Sequence, residues 1–435
     1  MQLNPPHKTI EGELFDAFVK AGAVSKDNAD DPKKSSLIRA ARTDKGVHAG
    51  GNVVSLKLIV EDSDIVEKIN SHLPDQIRMW GYSRTNKAFE CRKMCTSRVY
   101  EYMIPSYVFL PPKPTSHLAE MLRSAKQEVR SIAEEESPSL KEEGEKFWES
   151  VSNQLTEAGI STESINKSYE LEQEQLLSGG LDSAGKQKEV KEEDATTNGS
   201  ETYNNVLKRI KEVENRSRRA YRISSERLEL ARKVFKVYEG HHNFHNFTIG
   251  KAFKDPSSQR YMKTLDISDP KIINGTEWLS IKIHGQSFML HQIRKMVAMA
   301  VLIVRTGCPI SRISEAFEQN KINIPKAPSL GLLLEHPVYD SYNQRLGNFG
   351  YEPISFDKYA EEIDAFKMKY IYDKIYSEEA KENVFTGFFN FIDCFRGEPI
   401  FEYLTVKGIT AKASEAKDIK IGNDDEDELE GDIEG

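Results

Sequence analysis

Acidic residues are concentrated in two stretches of this chain that are poorly suited to a packed core. Residues 134–201 contain 18 acidic and 6 basic residues, and residues 424–434 contain 8 acidic and no basic residues. Like charges in such blocks repel one another, so the blocks are usually solvated and disordered. The foldable parts of the 435-residue chain are therefore expected on both sides of the first stretch. Since the length also exceeds that of one ordinary domain, we expect two core lobes with extra segments.

The charge of the remaining chain is basic. The formal net charge of the whole chain is −9, and leaving out the two acidic stretches changes it to +11. A basic folded part suits a polyanionic partner such as RNA. An ordinary soluble surface could also have this charge, so charge alone leaves both interpretations open.

Cysteine content and hydropathy indicate the environment of the chain. Four cysteines are too few for a disulfide framework, and no apolar run approaches the ~18 residues of a membrane span. Residues 2–13 contain prolines and charges where a signal or transit peptide would need an apolar or Arg-rich stretch. We therefore expect a reducing, intracellular location and no membrane partner.

Hydrophobic periodicity predicts secondary structure on both sides of the acidic insertion. It predicts helices at residues 10–21, 65–72, 205–238 and 289–304, and strands at 36–41, 53–60, 97–104 and 278–284. Short helical candidates occur near 147–155, and a helical extension is expected at 356–389. We place an N-terminal lobe at 1–116, an acidic and largely disordered insertion at 117–204, a C-terminal lobe at 205–350, a helical extension at 351–410 and an acidic disordered tail at 411–435.

The loop between the first two predicted strands contains a carboxylate between two cations. Asp44 is close to Arg42 and adjacent to Lys45, and Gly46 allows a close backbone approach. Neighbouring cations favour the ionised carboxylate, which a nucleophile or a general base requires. An aspartate that only caps a turn is the alternative, because aspartate often does so.

Arg294 is the second candidate. It lies at the border of the apolar face of the helix predicted at 289–304. A buried guanidinium needs a carboxylate partner, and Asp44 from the other half of the chain is a candidate. In the alternative, the stem of Arg294 packs against the core while its guanidinium reaches water.

Aromatic and histidine residues form two further groups. Tyr100 and Tyr102 lie on one face of a predicted strand beside Arg98, and residues 241–247 are rich in His, Asn and Phe. Such residues can stack on an extruded base, although ordinary core packing is the alternative. Neither the histidines nor Cys91 and Cys95 complete a four-ligand zinc set. We therefore predict no metal site; a structural zinc is an alternative without a clear ligand set.

Several segments resemble one known family. The sequence Ala-Ala-Arg-Thr-Asp-Lys-Gly-Val-His-Ala at 40–49 is similar to the signature of TruA-type tRNA pseudouridine synthases. Further matching blocks occur, in order, at Phe89-x-x-Arg92, Arg98-x-Tyr100-x-Tyr102, 242–248, 285–297 and 327–332. The motif variants, the insertion and the extension most resemble the fungal and animal branch of the family. The family's opening strand, with a Tyr-x-Gly-x-x-Tyr-x-Gly loop, would be expected before Gln2.

The resemblance implies an α+β fold. Two pseudo-symmetric lobes with joined antiparallel sheets, flanked by helices, would surround a basic RNA-binding cleft. It also implies that Asp44 is the catalytic aspartate, that Tyr100 stacks on the target base and that Arg294 ion-pairs with Asp44. The residues that we expect to bind RNA are Arg42, Lys45, His48, Arg98, His245, Lys251 and Lys254.

The implied function is isomerisation of uridine to pseudouridine in tRNA, at several positions and with small nuclear RNA and mRNA as further candidate substrates. No organic cofactor or metal is implied, and we expect a monomer in the nucleus, with the cytoplasm or mitochondrion as alternatives. Asp44 could act as a nucleophile or as a base on a sugar proton. A non-catalytic RNA-binding or chaperone protein is the competing function. A GTPase or phosphatase is disfavoured because no Walker-type phosphate loop occurs.

Overall fold

The chain folds into two compact units, each built from segments that are distant in sequence. The computed structural model describes residues 7–43, 46–129, 137–179, 203–346, 350–396 and 400–410. The first unit is formed by Met1–Glu101, His284–Gln286 and Leu332–Ile375, and the second by Tyr102–Ile283, Ser287–Gly331 and Tyr376–Gly435. Neither unit therefore corresponds to one continuous interval of the chain.

The first unit combines short strands with helices from both ends of the chain. Its elements are α1 (Ile10–Lys20), β1 (Ile38–Arg39), β2 (His48–Ala49), β3 (Val54–Ser55), α2 (Ile65–Ser71), the start of β4 (Ser97–Pro105), β9 (Leu332–Val338), α10 (Asp340–Arg345) and α11 (Ala360–Lys367). A π-helical turn (Met368–Tyr372) then leads into α12 (Asp373–Glu382). The helices predicted at 10–21 and 65–72 are confirmed.

Local sequence explains the bounds of α1. The Thr9 hydroxyl accepts a hydrogen bond from the Gly12 amide at 3.1 Å, which satisfies one of the unpaired donors at the start of the helix. Gly22 follows the helix with a φ of +74°, a conformation that ends helices and favours glycine. The apolar face of α1 packs against α2 through Phe15, Phe18 and Ile69.

The strands on either side of the Asp44 loop are shorter than predicted. β1 and β3 pair antiparallel over two residues each, Ile38 with Ser55 and Arg39 with Val54. After β3, the Lys57 amide donates to the carbonyl of Ser35, the last residue of a 3-10 helix, and the Ile59 amide donates to the Ala23 carbonyl. The alternating apolar residues at 56, 58 and 60 pack against the cluster of α1 and α2. The alternating pattern therefore indicates that one face of this segment is buried. Such a pattern does not require the segment to pair with another strand.

The sheet is mixed, which corrects the expectation of purely antiparallel sheets. β2 pairs with β9 in parallel, with His48 opposite Leu333 and Ala49 opposite Leu334. A parallel pair needs a long crossover, and the chain between residues 50 and 331 provides one. In the first unit the strand order is β2-β9-β4. The predicted α+β class itself is confirmed.

The second unit contains most of the helices. Its elements are the end of β4, α3 (His117–Glu128), α4 (Pro138–Glu157), α5 (Thr162–Gly179), α6 (Tyr203–Ala220), α7 (Ser225–Lys236), β5 (Gly240–Asn243), β6 (Gln259–Ile267), β7 (Lys271–Ile273), β8 (Thr276–Gly285), α8 (Gln292–Thr306), α9 (Ser311–Glu315) and α13 (Val384–Cys394). β8, β6 and β5 are successive neighbours, and β7 pairs antiparallel with β8. The strands predicted at 97–104 and 278–284 and the helix at 289–304 are confirmed.

Much of the insertion predicted to be disordered is helical. α4, α5 and α6 enclose a buried cluster that includes Val151, Leu155, Ile165 and Ile210. Their apolar residues recur at helical spacing, so the acidic residues can occupy the outer faces of the same helices. The prediction of disorder used the overall composition of the insertion and did not take account of this amphipathic pattern. Residues 130–136, 180–202 and 411–435 lie outside the described residues, so the predicted tail does as well.

One predicted long helix is two helices. The segment predicted at 205–238 is interrupted between α6 and α7, where the Ser224 hydroxyl accepts a hydrogen bond from the Arg227 amide at 3.2 Å. Serine is a preferred residue at this capping position because it satisfies a free amide of the first turn. The Ser-Ser-Glu sequence at 224–226 was the signal for this break.

The predicted extension at 356–389 is helical as expected, and it contributes to both units. Residues up to Ile375 belong to the first unit, and residues from Tyr376 belong to the second. In the second unit, Asp393 of α13 forms a buried ion pair with Arg305 of α8 at 2.7 Å. Among the described residues, no helix combines the length and the apolar character needed to cross a membrane.

Glu379 of α12 should make stability depend on pH. This carboxyl is 3% exposed, accepts hydrogen bonds from the Tyr107 hydroxyl and the Phe385 amide, and burial raises its pKa to about 7. Between about pH 4.5 and pH 7 the folded protein retains this proton while the unfolded chain releases it. The free energy of unfolding should therefore fall by roughly 3 kcal/mol across this range.

Chemical denaturation of the wild type and of Glu379→Gln between pH 5 and pH 8 measures this effect. Glutamine keeps a polar side chain of the same shape but does not titrate. The difference in stability between the two proteins should therefore grow in favour of Glu379→Gln as pH rises. Parallel pH profiles would show that Glu379 is ionised in the folded protein throughout this range.

Candidate active site

The first stem of the Asp44 loop is held by three hydrogen bonds. Asp44 and Lys45 themselves lie outside the described residues. The Ala40 amide donates to the Val53 carbonyl at 2.8 Å, and the Asn52 side chain donates to the Ala41 carbonyl at 2.9 Å. The Arg98 guanidinium donates to the Ala40 carbonyl at 2.8 Å. The backbone is therefore fixed three and four residues before Asp44.

The second stem is fixed by the parallel strand pair. Gly46 has a φ of +81°, a left-handed conformation that favours glycine, and β2 begins at His48. β2 pairs with β9, and the Gly50 amide continues the pairing with a 2.8 Å hydrogen bond to the Leu334 carbonyl. A short loop with both ends anchored in this way suits a residue that must be placed accurately.

His48 was predicted to bind RNA, and the structure indicates a neutral imidazole. The side chain is half-buried, and its Nε2 atom has no hydrogen-bond partner within the described part of the chain. Burial lowers the pKa of His48 to about 4, with a further contribution from the positive charge of Lys374. His48 therefore carries no charge at neutral pH, so any contact with RNA would be a neutral hydrogen bond or a packing contact.

Arg294 is buried in the first turns of α8. It is 6% exposed, so the alternative in which its guanidinium reaches water does not hold. Its Nε atom donates to the Ala327 carbonyl at 2.6 Å, and the Ala327 amide donates back to the Arg294 carbonyl at 3.2 Å. The next carbonyl, that of Pro328, accepts a 2.7 Å hydrogen bond from the Tyr102 hydroxyl. Arg294 is thus held on the segment at 327–331.

Positive charges surround the start of α8. His291 precedes the helix in a left-handed conformation with a φ of +59°, which is uncommon for a non-glycine residue. Burial, together with the positive charges of Lys326, Arg294 and Lys295, lowers the pKa of His291 to about 2. The Lys295 ammonium is buried and donates to the Thr248 carbonyl at 3.2 Å. This neutral histidine and three cations form a site suited to an anionic group.

The sequence analysis did not single out Lys295 and Lys326 as site residues. Lys295 directly follows Arg294, and Lys326 directly precedes the matching block at 327–332. Their adjacency to two recognised blocks was the available signal. Their electrostatic effect on one buried imidazole appears only in the folded chain.

The two tyrosines of β4 have different environments. Tyr102 is fully buried, so its ring belongs to the core and cannot stack on a base without a large rearrangement. Tyr100, two residues earlier on the same strand face, is half-buried. This contrast fits the assignment of Tyr100, and not Tyr102, as the candidate stacking residue.

The segment at 241–255 differs in part from expectation. His245 is 5% exposed and contacts the edge of Phe253 with ring centroids 5.3 Å apart, so a direct RNA contact would first require its side chain to be uncovered. Burial lowers the pKa of His245, so it is no cation at neutral pH. Lys251 forms an exposed ion pair with Asp255 at 3.1 Å, and Lys254 is exposed. The two lysines thus remain suitable for phosphate contacts.

The predicted site residues fall into two groups. Arg42, His48, Arg98 and Tyr100 belong to the first unit, and Arg294, His245, Lys251 and Lys254 belong to the second. Arg98 donates a hydrogen bond to the Ala40 carbonyl and so helps to hold the loop stem. The sequence predicted Arg98 as a site residue but did not predict this contact. In the described part of the chain, no group of three or more His, Cys, Asp or Glu side chains could hold a metal ion.

Known proteins resemble this chain over most of its length. A family model described as tRNA pseudouridine synthase matches residues 234–340, which include α8 and Arg294. A protein of Yarrowia lipolytica named tRNA pseudouridine synthase 1 is 54% identical over 441 residues, which cover 99% of this chain and 80% of the relative. The protein of the same name from Saccharomyces cerevisiae is 51% identical over 429 residues, covering 94% and 74%.

This chain belongs to the tRNA pseudouridine synthase family. A second Saccharomyces cerevisiae member, named tRNA pseudouridine(27/28) synthase, is 36% identical over 397 residues, covering 89% of this chain and 94% of the relative. The protein is accordingly an isomerase that converts uridine to pseudouridine in tRNA. Synthases of this family generally act without a cofactor.

Asn52 should matter to this synthase beyond its contribution to stability. Its amide bridges the loop stem, donating to the Ala41 carbonyl at 2.9 Å and accepting from the Val53 amide at 2.9 Å. We expect Asn52→Ala to lower kcat on tRNA by roughly tenfold or more, because small misplacements of a catalytic group are costly. Single-turnover isomerisation at saturating enzyme measures the effect.

Asn70 provides a matched control in the same unit. Its amide donates to the Met79 carbonyl at 2.9 Å and accepts from the Met79 amide at 2.8 Å, in a similar bridge that does not involve the loop stem. Both variants should lose about 1–3 kcal/mol of stability. If Asn70→Ala lowers the rate as much as Asn52→Ala, the loss reflects stability and not the loop.

Proposed function

We propose that this synthase isomerises uridines at several tRNA positions, with Asp44 as the catalytic carboxylate. The observation that supports this most is the Arg-Thr-Asp-Lys-Gly-Val-His block in a loop with two anchored stems. Such anchoring is expected for a loop that must present one carboxylate to a substrate. A turn-capping aspartate would not require the second stem to be held by a parallel strand pair.

The chemistry begins with a uridine that leaves its stack. Extrusion costs a few kcal/mol of stacking, which phosphate contacts and stacking on Tyr100 offset. Asp44 then initiates cleavage of the bond between sugar C1′ and uracil N1, either by attack on C1′ or by removing a sugar proton. The freed uracil rotates and rejoins C1′ through C5. In the first route this displaces the Asp44 carboxylate from C1′, and in the second the sugar regains its proton. C5 then loses its proton, and N1 gains one. No atom or electron is gained or lost overall, so the reaction requires no oxidant or reductant.

Arg294 supplies the charge that complements Asp44 in this proposal. The guanidinium is buried, held by the Ala327 carbonyl and accompanied by Lys295 and Lys326. An ion pair would keep the pKa of Asp44 low and orient its oxygens toward the sugar. The support for the pair is the family resemblance together with the need of a buried guanidinium for an anionic neighbour.

The proposal for the target uridines rests on the names of the relatives and on their identity to this chain. Identity is 51% to the Saccharomyces cerevisiae protein whose name gives no position, and 36% to the one named for positions 27/28. We propose that the targets extend beyond positions 27 and 28, and that small nuclear RNA and mRNA are further substrates. Mapping pseudouridines in cellular RNA with and without this gene tests both; sites lost only at tRNA positions 27 and 28 would contradict the proposal.

Three further properties follow the family resemblance. We propose that the synthase is a monomer, acts in the nucleus and needs no zinc. A single monomeric peak in light scattering, a nuclear fluorescent fusion and full activity after dialysis against a chelator are the expected results. A dimer, exclusion from the nucleus or loss of activity that zinc restores would each overturn the corresponding proposal.

Asp44→Asn should abolish isomerisation while leaving the Kd for tRNA within severalfold of the wild-type value. Phosphate contacts supply most of the binding energy in such complexes, and a single carboxylate contributes little to it. Activity by tritium release and binding by filter retention can be measured on the same preparation. Wild-type activity in purified Asp44→Asn would exclude Asp44 as the catalytic residue.

Arg294 variants should damage catalysis more than binding. Arg294→Lys keeps a charge but loses the planar fork, so we expect partial activity; Arg294→Ala should retain almost none. The measurement is single-turnover isomerisation at saturating enzyme across pH, which separates chemistry from affinity. Loss of the cation should also shift the acidic limb of the pH profile upward, because Asp44 would then ionise at higher pH.

Arg305→Lys is the matched control, because Arg305 lies on the same helix with the same 6% exposure and pairs with Asp393 instead. It should lower stability without shifting the pH profile. A wild-type rate and profile in Arg294→Ala would reduce Arg294 to a packing residue.

A further inference from the structure

Two glycines after β2 are in direct contact with the C-terminal extension. A Cβ atom at Gly50 would lie 3.1 Å from Cδ of Lys367, and a Cβ at Gly51 would lie 2.5 Å from Cε1 of Phe356. Both contacts lie within the first unit. The extension therefore packs directly on the strand that follows the Asp44 loop.

A buried charge cluster fixes the extension in this position. The Lys367 ammonium is 2.6 Å from Glu335 of β9 and 3.8 Å from Glu101 of β4, and the side chain is 5% exposed. The Tyr372 hydroxyl also donates to Glu101. The helix face that meets these strands thus continues from Lys367 to the end of the π-helical turn.

His48 lies beside the same helical segment. β2 begins at His48, and Gly50, the residue directly after β2, is covered by Lys367. Lys374 follows Tyr372 by two residues, and its positive charge lowers the pKa of His48. The ammonium of Lys374 is therefore near the second stem of the Asp44 loop, and the side chain is exposed.

We propose that Lys374 is a further RNA-binding residue, which contacts a backbone phosphate beside the target uridine. The inference rests on the proposed function of Asp44. On the second stem of the loop His48 is neutral, so it offers no positive charge to a phosphate there. An exposed ammonium is a strong point-charge partner for a phosphate, and its place on an anchored helix limits the conformations that binding must order.

The first test compares two exposed lysines of the same helical stretch. Lys374→Gln should raise the Kd for tRNA roughly fivefold and reduce the slope of log K against log salt by about 1, as expected for one lost phosphate contact. Its KM should rise more than its kcat falls. Lys369→Gln is the control, because Lys369 is also exposed but its charged neighbours are Asp75 and Arg78. Lys369→Gln should leave the Kd and the slope unchanged.

A second measurement checks the placement without RNA. Because the charge of Lys374 lowers the pKa of His48, Lys374→Gln should raise that pKa in a titration of the histidine Cε1 proton by NMR. Lys369→Gln should not change it. A far-UV circular dichroism spectrum that matches the wild type shows that the variant protein is folded.

The outcomes separate this proposal from the proposed function. If Lys374→Gln binds tRNA with the wild-type salt slope while Asp44→Asn is inactive, Lys374 is only a surface lysine and the proposal is overturned. Equal losses in Lys374→Gln and Lys369→Gln would show a general charge effect and would also overturn it. Wild-type activity in Asp44→Asn would instead overturn the proposed function.

Discussion

The parallel pairing of β2 with β9 is the interaction on which the first unit depends. It joins residues 48–49 to residues 333–334, so the second stem of the Asp44 loop is fixed only by a strand far along the chain. Parallel pairing alone contributes little over two residues. Gly50 prolongs it, and the cluster of Lys367 with Glu335 and Glu101 covers the same strands. The second stem of the candidate catalytic loop is therefore held by β9 and by the C-terminal extension.

Buried ion pairs perform a related task in the second unit. Arg227 is fully buried, pairs with Glu143 at 2.9 Å and also donates to the Leu140 carbonyl at 2.7 Å, which ties the insertion helix α4 to α7. Arg305 pairs with Asp393 and ties α8 to the extension. Such pairs contribute little net stability, but breaking one leaves an uncompensated charge and is strongly unfavourable. They therefore select one arrangement of helices around α8, which carries Arg294.

Residues near the candidate site show how far sequence reasoning reaches. Arg294 was assigned to the edge of a buried face from helical periodicity, and it is buried in α8. The same periodicity predicted one helix at 205–238. The structure has two helices there, because Ser224 caps the start of α7. His48 and His245 were predicted to bind RNA. Burial lowers the pKa of both, which disfavours their charged forms. Their charge state depends on the residues that cover them. Those residues come from other parts of the chain, so the local sequence does not reveal it.

The sequence by itself determined the family, the α+β class, the candidate catalytic aspartate and most element positions. These follow from motifs and periodicities that are local in the chain, within one loop or one helix. Only the tertiary structure decided the parallel pairing of β2, the helical packing of the acidic insertion and the approach of Lys374 to His48. Each of these depends on contacts between residues far apart in sequence, whose energy comes from shared burial and charge and not from local preference.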